Sequence, residues 1–211
     1  MRSAIALLAA SAAGRTLAEG KTAGDFDYHV MALSQSLNWR AATGDTSHDD
    51  QRDAQRDLSF TRHGLWPKNE SGWPSICRAR ARDPARSETA ALADIMGGAG
   101  LARHEWQKHG RCIGLPAQQF LAAARHTYEN IIIQDVFRNL ARDLRLPARV
   151  VEHAFQEANP ALDATMVTIA RDQGMIEEAR ICLTRELTPR ACGADTMRDC
   201  RMEDALREAV R

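Results

Sequence analysis

Lysine is almost absent from this sequence: Lys21, Lys68 and Lys108 are the only three among 28 basic residues. Arginine is therefore the ordinary cation here, and each lysine raises the question of why a compact point charge is used instead. Neither sign of charge is in excess, because 28 acidic residues balance the basic ones. That balance excludes the strongly basic tail or whole-protein patch by which many proteins hold nucleic acid non-specifically. Any nucleic-acid recognition must then come from a local site. No apolar run reaches the roughly 20 residues that span a bilayer, so no membrane span is expected. There is no internal repeat or low-complexity tract. No two cysteines have C-x-x-C spacing, and the histidines do not supply a zinc site either.

The chain has 211 residues, 44% hydrophobic and 27% charged, which is ordinary globular usage and enough for one domain. Arg2, the apolar run from Ala4 to Ala10 and the small residues that follow have the pattern of a secretory signal peptide. The expected organisation is a signal over 1–18 and a single domain over 19–211, in a secreted or periplasmic protein. Cys77, Cys112, Cys182, Cys192 and Cys200 fit export, with two bridges and one thiol left over.

Phe26, Tyr28, Val30 and Ala32 alternate with Asp27, His29 and Met31, the pattern of a half-buried strand. Residues 41–57 hold five aspartates and almost nothing apolar, so an exposed loop is predicted. A second strand runs from Leu58 to Trp66, ending at Gly64 and Pro67, and an ordered loop covers 67–86. Helices are predicted from Ser87 to Met96, closed by Gly97 and Gly98, and from Leu101 to about Lys108 or His109, closed by Gly110. A long helix, broken once, runs from Pro116 toward Leu146, with Phe120, Leu121, Ala124, Tyr128 and Ile132 at helical spacing. Another starts at Pro147 and ends at Asn159-Pro160, followed by strands near Met166–Ala170 and Ile176–Leu183. Strands at both ends around a helical middle predict an α+β fold with a central, mainly antiparallel sheet and several packed helices.

Two segments concentrate chemistry: Phe60-Thr61-Arg62-His63-Gly64-Leu65-Trp66-Pro67, and His104-Glu105-Trp106-Gln107-Lys108-His109-Gly110-Arg111-Cys112. On an α-helix with His104 at zero, Lys108 falls at about 40°, Glu105 at about 100° and His109 at about 140°. Trp106 lies on the other side, at about 200°, where it can anchor the helix in the core. Zinc hydrolysis is disfavoured, since the histidines are five apart rather than four and a lysine lies between them in angle. A nucleophilic Cys112 is discounted, because an exported cysteine is better read as bridged. Two imidazoles can serve as base and acid in one turnover, while a lysine and a further imidazole stabilise an oxyanion. Cleavage of an RNA phosphodiester by its own 2′-OH asks for that set, and DNA, lacking the nucleophile, should be inert.

The two segments resemble the active-site motifs of the ribonuclease T2 family: His63-Gly64-Leu65-Trp66-Pro67, then His104-Glu105-Trp106-x-Lys108-His109-Gly110. Weaker likeness covers most of the domain, including Phe26–Ser34, Gly72-Trp73-Pro74-Ser75 and Ala179-Arg180-Ile181-Cys182-Leu183. The resemblance implies metal-independent cleavage of single-stranded RNA through a 2′,3′-cyclic phosphate, by a monomer without cofactor. It implies His63 and His109 as the acid–base pair, Glu105 and Lys108 as stabilisers of the phosphorane, and His104 as a phosphate ligand. Trp66 would stack on a base, and Trp73 would be either a second stacking residue or a structural one, given the ordinary burial of tryptophan. It also implies the bridges Cys77–Cys112 and Cys182–Cys192, with Cys182–Cys200 as competitor. The chain departs from the family in three places. Arg40 and Arg52 stand where one bridge is expected, predicting a more mobile loop over 41–57. Arg62 puts a cation beside His63, either lowering the His63 pKa or adding a phosphate contact. Lys68 replaces a carboxylate or amide near the base. These departures motivate an alternative: an impaired member of the same fold that binds RNA or protein without turnover.

Overall fold

The computed structural model describes residues 22–35, 60–172, 174–197 and 203–207. Arg40 and Arg52, the loop predicted at 41–57, the leader and Cys200 lie outside them.

Six strands among the described residues form one sheet in the order β2-β1-β5-β6-β3, with β4 also paired to β5. They are β1 (Tyr28–Gln35), β2 (Phe60–Lys68), β3 (Leu144–Leu146), β4 (Val167–Asp172), β5 (Met175–Leu183) and β6 (Ala205–Arg207). All pairings are antiparallel except β5 with β6. The fold is α+β with a mainly antiparallel sheet, as the strand–helix–strand order predicted.

The alternating segment at the start is not half-buried. Tyr28, Val30 and Ala32 on one face and His29, Met31 and Leu33 on the other are all buried. The reason is position: β1 lies between β2 and β5, so it has no solvent edge, and both of its faces are covered. Met31 and Leu33 join Leu65, Ala179 and Ile181 in the main core, with Trp106, Phe120 and Phe155 from the helices. Tyr28 and Val30 join Cys182, Trp66 and Cys192 in a smaller cluster on the opposite face. β2 continues through Pro67 rather than stopping there. Among the described residues β2 is an edge strand, the part of a sheet where a proline's missing N–H does least harm.

The helical middle is more fragmented than its periodicity suggests. The first predicted helix is two, α1 (Arg86–Ala90) and α2 (Ala93–Met96), the latter closed by Gly97 at φ 80° as expected. Next come α3 (Ala99–Glu105), a π-helical turn (Trp106–Gly110) and α4 (Arg111–Ile113), closed by Gly114 at φ 83°. Gly110 therefore sits inside the helical run and does not terminate it. It is glycine for space: a Cβ there would lie 2.6 Å from the Trp106 ring and 2.9 Å from Phe120.

The predicted long helix is α5 (Ala117–Glu129), followed by the short α6 (Asp135–Arg138) and by β3, a strand the sequence did not announce. Phe120, Leu121 and Ala124 are buried as expected, but Ile132 lies beyond the helix and is exposed. α7 (Ala148–Ala158) starts after Pro147 as predicted. Cys77–Cys112 and Cys182–Cys192 are bridged.

Candidate active site

β2 carries a bulge where it passes β1. Gly64 pairs with Ala32 and Arg62 with Leu33, so His63 is the extra residue with no partner opposite. Strict alternation would have placed His63 with Leu65, toward the apolar core. The bulge instead lets Arg62 take the core side and releases His63 to the other face, a common use of bulges beside reactive groups. Arg62 is fully buried, with Nη1 3.1 Å from Met96 Sδ and no hydrogen-bond partner for Nε or Nη2. Burial lowers its pKa to about 10, partly offset by the charge of Glu105. The phosphate contact expected of Arg62 does not hold, since a fully buried guanidinium cannot meet a phosphate, and the net shift of His63 is upward, set by burial and by its carboxylate neighbours.

The second motif arrives from α3 and the π-helical turn. Trp106 is buried, and its indole N–H donates to Asp83 Oδ1 at 2.8 Å, so it anchors the helix as its angle predicted. Glu105, the last residue of α3, reaches under the sheet face and accepts a 2.6 Å hydrogen bond from Trp66 Nε1. Gly64 is what permits this approach, since a Cβ there would overlap both Glu105 Oε2 and Trp66 Nε1. The other carboxylate oxygen lies 4.0 Å from His63 Nε2.

Trp66 stands between the two histidines. Its ring centroid is 5.3 Å from His63 and 5.4 Å from His109. A cleft of about 620 Å³ opens here, lined by His63, Trp66, Lys68, Trp73, Lys108 and His109, together with Glu177, Glu178, Arg180 and Asp195. Thus both motifs meet, although 41 residues separate His63 from His104. Glu105 lies beneath the cleft, buried. His104 is exposed and does not line it, although its charge acts on both Glu105 and His109. Trp66 is only partly exposed and its N–H is committed to Glu105. Trp73 is the open ring, 54% exposed, with Lys68 Nζ 4.7 Å above its centre. Lys68 also pairs with Asp195 at 3.2 Å, and Asp195 accepts the Gly72 N–H at 2.9 Å.

The electrostatics divide the histidines. Burial, then the charges of Lys108, His63 and His104, push His109 down to about 3, so it is neutral over the ordinary pH range. Its Nδ1 is buried without a partner, which leaves Nε2 as the ring nitrogen for the cleft. Burial also opposes charge on His63. It is outweighed by the 2.6 Å hydrogen bond from Nδ1 to Glu178 Oε1, the charge of Glu178, and the charges of Glu105 and Glu177, so the pKa of His63 is raised. Burial raises Glu105 despite the opposing His63 charge and Trp66 hydrogen bond. Opposite shifts in two adjacent imidazoles give one acid and one base at the same pH.

Glu178, Arg180 and Asp195 escaped the sequence reading. On β5, Glu178, Arg180 and Cys182 share the cleft face, while Ala179, Ile181 and Leu183 point to the core. A charged residue every second position is also what a solvated strand face shows, so the period alone carried no warning.

A model of the ribonuclease T2 family matches residues 28–192. A ribonuclease of Aeromonas hydrophila is 32% identical over 198 residues, covering 90% of this chain and 88% of that protein. Ribonuclease I of Escherichia coli K12 is 31% identical over 154 residues, covering 53% of this chain and 56% of that protein. Among solved structures, an RNase-related protein from Calystegia sepium shares the fold, with a TM-score of 0.65 at 18% identity, covering 87% of this chain and 97% of that one. The matched span begins at β1 and ends at Cys192, so it encloses both motifs, the bulge that frees His63 and the strand behind it; the chain belongs to the ribonuclease T2 family.

Proposed function

We propose that this T2-type endoribonuclease cleaves single-stranded RNA without a metal, by attack of a ribose 2′-OH on the adjacent phosphorus. The product would be a 2′,3′-cyclic phosphate, hydrolysed in a second step to a 3′-phosphate. The observation that carries the reading is the pair of imidazoles on either side of Trp66, one neutral and one inclined to hold its proton.

Neutral His109 takes the 2′-OH proton through Nε2. His63 gives its Nε2 proton to the departing 5′-oxygen as the P–O5′ bond breaks. Lys108, exposed at the cleft wall, stabilises the phosphorane charge, and Glu105, buried 4.0 Å from His63 Nε2, supports the acid. In the second step the histidines exchange roles: His63 activates water and His109 protonates the 2′-oxygen. His104, exposed nearby, is a phosphate ligand at the rim. Trp66 and Trp73 offer ring faces for unpaired bases, the usual way aromatic side chains hold single-stranded RNA. The two disulfides support folding in an oxidising compartment, and with it export directed by residues 1–18.

The test is cleavage of an RNA homopolymer by purified protein in EDTA, with His63→Ala and His109→Ala alongside. Cyclic-phosphate products from wild type, reduced by about 10²-fold or more in each variant, are expected. Loss of wild-type activity in EDTA would overturn the mechanism. Intact RNA with a folded wild-type protein would favour a binding role.

A further inference from the structure

His63 is flanked by a carboxylate on each side of its ring. Glu105 lies 4.0 Å from Nε2, whereas Glu178 is hydrogen-bonded at 2.6 Å to Nδ1. We infer that Glu178 is the positioning residue of the acid: it holds the protonated His63 through Nδ1–H so that Nε2–H faces the leaving oxygen, it keeps the remaining proton on Nδ1 once that of Nε2 has been given, and Arg180 holds Glu178 in place. The inference rests on the reading of His63 as acid given above.

Glu178 is 2% exposed on the cleft face of β5. Its Oε1 meets His63, and its Oε2 accepts two hydrogen bonds from Arg180, from Nε at 2.8 Å and Nη2 at 2.7 Å. Both carboxylate oxygens are therefore committed, and the group cannot rotate without losing one partner. Arg180 is in turn held over the Trp66 ring, 5.6 Å from its centre. An imidazole that donates Nδ1–H to a carboxylate must present Nε2 on its other side, which is how a second partner selects the working nitrogen. Removing such an orienting carboxylate leaves the ring free to adopt the wrong tautomer.

A purely structural role accounts for less. Burying a carboxylate within a sheet is expensive, and a shape-matched apolar residue would often serve stability as well or better. Its neighbours across β1, Ser34 for Glu178 and Ala32 for Arg180, are small and make no demand for charge. The other charged groups around His63 are Glu105 at the end of α3, Lys108 and His109 in the π-helical turn, and Glu177 and Arg180 on β5. The described hydrogen bond at Nδ1 is the one to Glu178.

Proton donation matters when the leaving group is poor. The test compares a dinucleoside phosphate, whose departing 5′-alkoxide needs a proton, with a nucleoside 3′-(4-nitrophenyl phosphate), whose departing phenolate does not. Glu178→Gln should slow the first by roughly 10- to 100-fold, a part of what a positioned acid contributes, and leave the second nearly unchanged. The alkaline limb of its pH profile should move to lower pH, because the neighbour that favours His63 protonation has gone. Equal loss on both substrates, or an unmoved limb, would overturn the inference. If Glu178→Gln does not fold, Arg180→Met decides: it keeps the carboxylate but frees it to leave His63. The same selectivity for the poor leaving group supports the role, and equal or absent loss overturns it. His63→Ala separates the two readings. Equal loss on both substrates in that variant would sink His63 as the acid, whereas selective loss there without selective loss in Glu178→Gln would sink only Glu178.

Discussion

At Gly64 the absence of a side chain decides whether Glu105 can reach its working position. A methyl group there would overlap Glu105 Oε2 and Trp66 Nε1, so Gly64→Ala must part the hydrogen bond that holds them together. A displacement near 1 Å at a reactive group can remove about 10²-fold of rate. Gly64→Ala is expected to lose at least about tenfold in kcat/KM, measured on RNA beside a thermal melt that shows the protein still folded. The histidines predict the pH profile. The base must be neutral, so activity rises through the His109 pKa, at about 3; the acid must be protonated, so it falls through that of His63, above the ordinary value. kcat/KM should therefore plateau across mildly acidic pH and decline above it, and an optimum well into the alkaline range would contradict the assignment. Residue identity made His63, Glu105, Lys108 and His109 legible, because few other settings collect those types at that spacing. The phosphate contact expected of Arg62 fails for a reason of parity: its direction depends on a bulge one residue wide, which no side-chain pattern in the sequence records.

The turn that carries His109 illustrates the same limit at the scale of an element. Angles drawn at about 100° per residue assume an α-helix, but from Trp106 to Gly110 the chain is π-helical, with more residues per turn. The angles brought Lys108 and His109 to one cleft but also grouped His104 with them, which lies outside it, and the wider turn that sets the geometry was not visible. Gly110 was read as a stop because glycine usually ends helices, yet its role is to let Trp106 and Phe120 close over the backbone. Gly110→Ala should therefore destabilise by about 1–3 kcal/mol through overpacking, read as a lower urea midpoint, and should slow cleavage as well, since His109 is the adjacent residue. A variant with unchanged midpoint and unchanged rate would show that the packing is slack. β3 and β6, three residues each, are too short for any period to be read.

Across the whole molecule, the strand–helix–strand order sufficed for the fold class, because long buried strands and an amphipathic middle admit few arrangements. What it concealed was that the sheet divides two environments, an apolar layer under the helices and a polar cleft on the other face. The disulfides sit differently in this plan. Cys77–Cys112 spans 35 residues and ties the loop after β2 to the helical run bearing His109; Ile76 N–H donates to Lys108 O at 2.9 Å beside it. Cys182–Cys192 spans 10 and closes a segment next to β5. Replacing the first pair by serine should cost about 2–4 kcal/mol, and the second less, since a longer loop loses more entropy when closed. Chemical denaturation measures both, and an equal or reversed order would show that strain, not loop length, governs them. The alternation of β1, β2 and β5 has a practical consequence. Lys68, Trp73, Glu177 and Asp195 line the cleft but none belongs to the main apolar core. A directed-evolution library confined to those four positions can search for new base preferences while leaving the apolar layer untouched, its folding cost limited to polar contacts such as Lys68–Asp195.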